Sequence, residues 1–119
     1  MKVIVSARNN DLDGEVDPRF GRGVCFLLID LESDDYETID NSSGAGATQG
    51  AGVLAAQKVA ATGAKAVLTG HCGPKAYNLL DEAGITVYTG IEGTVREAVA
   101  RFRAGELESA GNADVDSHW

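Results

Sequence analysis

Residues 64–77, reading AKAVLTGHCGPKAY, leave this chain few choices of fold. Ala66, Val67 and Leu68 form an apolar run too short for a helix, and Thr69-Gly70 ends it. Pro74 follows closely, and its fixed φ and missing N–H suit the first position of a helix. Ala76, Leu79, Leu80 and Ala83 then recur at i, i+3, i+4 and i+7, the stripe of a helix lying on a sheet. A buried strand that feeds a helix across so short a corner belongs to an α/β sheet. In such sheets ligands bind outside the strand carboxyl ends, and here His71 and Cys72 occupy the corner.

The remaining elements arrange themselves around that unit. Lys2–Ala7 (KVIVSA) is nearly continuously apolar, the pattern of a central strand covered on both faces. Val24–Leu31 and Tyr36–Asp40 read as two more strands, and the short acidic link between them suits an antiparallel hairpin. A helix is predicted from Ala51 to Thr62, with Gly63 in the position after its end. Ile85–Thr89 is a fifth strand, and Thr94 with Glu97 forms a capping box that opens a last helix ended by Gly105. Right-handed crossovers then give a mixed five-stranded sheet of order 3-2-1-4-5 with three helices. Its strand ends should gather the loops Arg8–Arg22, Gly70–Pro74 and Gly90–Gly93 on one edge, with the glycine-rich stretch 44–52 leaning over them. Residues 1–107 read as one domain and 108–119 as a flexible tail, with His118 solvated beside Trp119.

A chain of 119 residues can bury a core without disulfides or a structural metal. Its net charge of −8 argues against nucleic acid, which needs a basic face. No apolar run approaches the roughly 18 residues of a membrane span, and no signal-peptide pattern opens the sequence. The expectation is a cytoplasmic protein whose Cys25 and Cys72 stay reduced.

His71-Cys72 is the sharpest chemical feature. A cysteine at a helix N-terminus has its thiolate favoured by the helix dipole, and thiolate with imidazole suits iron, copper, zinc or a metal–sulfur cluster. The alternative is that Cys72 packs and His71 sits in solvent. Nearby ligands are too few for a closed zinc site, and Cys25, inside an apolar strand, reads as core. Arg8, Arg19 and Arg22 are placed to balance an anionic ligand, or else to pair with Asp11, Asp13, Glu15 and Asp17. A mixed arrangement is expected, with Asp17 holding the loop and at least one arginine facing the site. The acidic run itself lacks EF-hand spacing and reads as solvated.

Gly50-Ala51-Gly52-Val53-Leu54-Ala55 matches G-x-G-x-x-A, but it follows a long loop rather than a strand and no acidic ribose contact succeeds it. Nucleotide binding is therefore weakly supported, and a lid of backbone N–H groups facing an anion is the other reading. No Ser–His–Asp, paired-carboxylate or HExxH arrangement is present, so the sequence points to binding rather than catalysis.

KVIVSA, VDPRFGRGVCFLLID, the GAG before the first helix, LTGHCGPKA and VYTGIEGTVREAV together resemble the dinitrogenase iron–molybdenum cofactor biosynthesis family over residues 1–107. That family comprises nitrogenase accessory proteins and small stand-alone homologues. The resemblance implies a ribonuclease-H-like three-layer fold. It also implies binding or carriage of a metal–sulfur cluster of iron–sulfur, iron–molybdenum or molybdenum–copper type, for cofactor assembly or storage. Arg19, Gly21, Arg22, Gly70, Gly73 and Pro74 would contact the cluster, His71 and Cys72 would ligate its metal, and a cofactor-assembly or recipient protein would be the partner. A non-metal partner-binding or regulatory module on the same fold is the rival expectation.

Overall fold

A computed structural model describes residues 1–41 and 50–110. Its strands are β1 (Lys2–Ala7), β2 (Cys25–Asp30), β3 (Tyr36–Asp40), β4 (Ala66–Leu68) and β5 (Thr86–Tyr88). The helices among the described residues are α1 (Ala51–Ala60), α2 (Pro74–Glu82) and α3 (Val95–Arg103). The strands make one sheet of order β3-β2-β1-β4-β5. β2 lies antiparallel to both β1 and β3, and β4 lies parallel to both β1 and β5. The mixed α/β sheet read from the sequence is thus the one observed.

Alternation along the strands divides the core into two halves. Ile4, Phe26, Leu28, Val67 and Val87 face Ala55, Ala56 and Val59 of α1 and Ala76 and Leu80 of α2. Val3, Val5, Leu27, Ala66 and Leu68 face Val95, Ala98 and Val99 of α3. β1 is covered on both sides, which is why KVIVSA carries no alternation. Each large side chain buried in this way stabilises the fold by about 1.5–3 kcal/mol.

The acidic stretch before Asp17 is not simply solvated: it covers the start of α3. The N–H groups of Val95 and Arg96 donate to the carbonyls of Gly14 (2.9 Å) and Leu12 (2.8 Å), and Arg96 Nε reaches Asp13 Oδ1 at 2.7 Å. Thr94 and Glu97 complete the capping box. The positive end of α3 is therefore fully occupied by its own chain.

The chain stays packed beyond α3. Leu107 leans on the α3 side of the core, the N–H of Ala110 donates to Val87 O at 2.7 Å, and Tyr77 Oη donates to Ala110 O. The expected flexible tail, including His118, lies from residue 111 outside the described residues, as does 42–49 of the glycine-rich loop. Among the described residues no helix is long and apolar enough to cross a membrane.

Candidate functional site

The site is assembled by a loop that leaves β1 and returns to β2. Buried Asp17 anchors it: its N–H donates to Ser6 O at 2.8 Å and its own carbonyl accepts from Ser6 Oγ at 2.7 Å. Ser6 Oγ in turn meets Thr69 Oγ1 at 2.8 Å, tying the loop to the carboxyl end of β4. Asp17 Oδ1 accepts from the N–H of Arg19 at 2.9 Å and lies 3.6 Å from its Nε. Arg19 then runs beside His71 as a parallel bridge, and the N–H of Phe20 donates to His71 O at 3.1 Å. Phe20 is driven into the core, its ring 5.2 Å from that of Phe26.

Two glycines permit this wedge. A Cβ on Gly70 would stand 2.5 Å from Pro18 Cα, and one on Gly21 would stand 2.7 Å from the backbone of Gly52. The loop therefore touches the β4–α2 corner on one side and the first turn of α1 on the other.

Between them is a cavity of about 550 Å³. Arg19 to Arg22 form one wall, Gly50 to Val53 a second, and His71 with Gly73 to Ala76 the third. Arg19, Arg22 and Lys75 bring positive charge, and no acid stands among the described lining residues. Both helices that reach it start on a glycine with no side-chain cap, and neither has an acid in its first turn. The first intrahelical bonds run from Leu54 to Gly50 and from Tyr77 to Gly73. The amides of Ala51, Gly52, Val53, Lys75 and Ala76 thus precede them at the positive ends of two helix dipoles, where anions bind. α3 offers the contrast, its end being closed by the acidic loop.

Of the residues singled out by sequence, Arg19, Gly21, Arg22, His71, Gly73 and Pro74 lie on the cavity wall, and Gly70 and Cys72 do not. Gly70 packs against Pro18. Cys72 is 1% exposed and belongs to the same core cluster as Phe20 and Leu80. Its burial pushes the thiol from an ordinary 9.0 up to about 12, so the thiolate expected from the helix dipole is corrected: desolvation outweighs it. Cys25 faces the α3 side of the sheet, donates to Ala7 O at 3.4 Å, and is separated from Cys72 by the sheet itself. Arg8 pairs with Glu15 at 3.9 Å away from the cavity. Gly90–Gly93 also stays off the cavity wall, since its backbone bonds to Gly70, Thr69 and Val16 instead. Among the described residues no three His, Cys, Asp or Glu side chains are grouped so as to hold a metal ion.

Phe20, Lys75 and Ala76 join the site without having been singled out, and the start of α1 joins it as the sequence's alternative reading of backbone N–H groups facing an anion. The signal for α1 was the G-x-G-x-x-A run, which here presents first-turn amides as a backbone cradle rather than a nucleotide fingerprint.

The family model described as dinitrogenase iron-molybdenum cofactor matches residues 1–105. The chain belongs to that family. Within the dinitrogenase iron-molybdenum cofactor fold, the chain is similar to the apo form of the orange protein from Desulfovibrio gigas. The two share 43% identity over 92% of each chain with a TM-score of 0.90. A Thermotoga protein described as a candidate NifB protein is 30% identical over 91% of each chain, with a TM-score of 0.79. An uncharacterized protein of Methanocaldococcus jannaschii is 32% identical, covering 91% of this chain and 90% of its own length. For a family defined by an inorganic cofactor, the chemistry offered here is a cationic, amide-lined cavity with His71 on its wall.

Proposed function

We propose that this cavity binds an anionic metal–sulfur cluster or a precursor of one, holding it chiefly by charge and hydrogen bonds rather than by a full set of protein–metal bonds. The observation that carries this reading is the convergence of two helix N-termini and three cationic side chains on a cavity with no acid on its described walls. A cluster whose sulfides spread negative charge over its surface needs many weak donors, which backbone amides and guanidinium groups supply. The cavity volume lies within the range of about 300–1,000 Å³ usual for small-ligand sites, and Phe20, Val53 and Pro74 give it the apolar share that sulfide tolerates better than oxide does.

Arg19, Arg22 and Lys75 neutralise the cluster, Gly21, Gly73 and Pro74 shape the wall, and among the described lining residues His71 is the one imidazole or thiol donor. Cys72 and Gly70 shape the corner from behind. Membership of a cofactor family, and likeness to a protein described in its apo form, support a ligand for this chain. The chain would store or carry the cluster and pass it to an assembly or recipient protein in the cytoplasm, where two cysteines on opposite faces of one sheet remain thiols. Among the described lining residues no carboxylate stands to work with His71, which fits a use in binding rather than catalysis.

Purification without oxygen, followed by metal and acid-labile sulfide analysis, tests the proposal. Metal and sulfide in fixed ratio to protein, lost from an Arg19→Ala/Arg22→Ala variant, support it. Colourless protein free of sulfide that also takes up none on reconstitution overturns it.

A further inference from the structure

Asn41 is buried, 1% exposed, and lies directly after β3 rather than on the cavity wall. Its Nδ2 donates to Gly23 O at 2.7 Å and to Gly21 O at 3.2 Å, while its backbone N–H donates to Val24 O at 2.9 Å. One side-chain amide thus grips two carbonyls of the segment that carries Arg19 and Arg22. Asp17 grips the same segment from the other end, through the N–H of Arg19. The loop also closes on itself, Gly23 N–H donating to Arg19 O at 3.2 Å.

We infer that Asn41 is a positioning residue for the anion site, acting through Arg19 and Arg22 by holding the Gly21 and Gly23 carbonyls. Its Oδ1 is buried with no hydrogen-bond partner among the described residues, so the amide's contribution to folding is offset by a desolvated acceptor. An apolar side chain would fill the same space without that orphaned acceptor, but would take this donor from the Gly21 and Gly23 carbonyls. What it would not do is fix two carbonyls of one loop at a set spacing, and that spacing decides where both guanidinium groups enter the cavity. Asn41 also opens the stretch that leads to α1, whose first turn is the facing wall.

This inference rests on the anion-binding reading, and its test separates the two. The probe is tetrathiomolybdate with cuprous ion, added to the reduced full chain, and the variants are Asn41→Leu, Arg22→Ala and their combination. Each single variant should weaken binding about tenfold, and the combined variant by clearly less than the product of the two, because part of the effect of Asn41 runs through Arg22. A double variant weakened by the product of the two single effects overturns the inference.

If wild-type protein takes up no thiomolybdate, the cluster reading falls and Asn41 is decided by Nε relaxation of Arg19 and Arg22. Asn41→Leu should loosen both, and unchanged order parameters overturn the inference. Should Asn41→Leu not fold, side-chain amide exchange in the wild type decides. Protection of Asn41 Nδ2 protons well beyond that of surface asparagines supports the inference, and exchange at the surface rate overturns it.

Discussion

The N–H of Phe20 donates to the carbonyl of His71 at 3.1 Å, and this one bond joins the two stretches whose side chains line the cavity. On one side of it stand Arg19 and Arg22, on the other His71 and the start of α2. Neither stretch alone makes a concave surface. Their pairing, with Gly21 pressed on Gly52, closes three walls around one volume.

Replacing Arg19 or Arg22 with alanine should weaken cluster binding about ten- to hundredfold, the usual worth of a hydrogen bond to a charged group. Stability should also fall for Arg19→Ala, because the Asp17 carboxylate 3.6 Å from its Nε is buried although the arginine is half-exposed. The backbone N–H at position 19 stays as a donor, so the loss should be modest but above the ~0–1 kcal/mol of a surface pair. Titrations at rising ionic strength check this: the salt dependence of binding should flatten in each variant.

Gly73→Asp separates helix stability from function. Gly73 has φ −69 and ψ 163, open to any residue, so aspartate there can cap α2 and add a few tenths of a kcal/mol. The same carboxylate would face the cavity beside Pro74 and Lys75. Thermal unfolding should hold steady or rise while anion binding is lost, and retained binding would contradict the electrostatic reading.

Gly21→Ala and Gly70→Ala should both destabilise, by about 1–3 kcal/mol, as over-packing against backbone does. The new methyls would meet Gly52 and Pro18 at 2.7 and 2.5 Å. Denaturant unfolding measures the loss, and binding should fall with it because the Arg19–Arg22 loop must lift from α1 or from the β4–α2 corner.

Cys72 gives the fold an alkaline limit. Burial raises its folded pKa from 9.0 to about 12, so between those values the unfolded chain releases a proton that the folded chain keeps. The unfolded state then binds fewer protons, and stability falls as pH rises from 9 toward 12. Cys25, raised first by burial and then by the charges of Asp17 and Asp40, adds in the same direction. Denaturation midpoints between pH 8 and 11 should drop less steeply in Cys72→Ala, and that variant should still bind the cluster.

Sheet order is legible in this sequence because each strand carries its own sign. KVIVSA lacks alternation, so it must be central, and the link Glu32–Asp35 is too short for anything but a hairpin. Pro74 and the Thr94–Glu97 pair mark two helix starts that the structure repeats. The direction of Cys72 is not legible, because a corner between strand and helix has no fixed period and one residue of rotation turns a side chain from cavity to core. For α1 the G-x-G-x-x-A run does suggest backbone donors facing an anion, but Gly21 against Gly52 is a contact between segments far apart in sequence that no local pattern announces. The acidic run looked solvated because its partners are α3 amides, which a pairing of side-chain charges does not reveal.

Titration of the reduced protein with tetrathiomolybdate and cuprous ion, followed by charge-transfer absorption, decides whether the cavity between α1, α2 and the Arg19–Arg22 loop is an anion site. Saturable, stoichiometric absorption is predicted for wild type and for Cys72→Ala, with loss in Arg19→Ala/Arg22→Ala. Equal spectra and equal affinity in wild type and the double arginine variant, or no saturation in any of them, would contradict it.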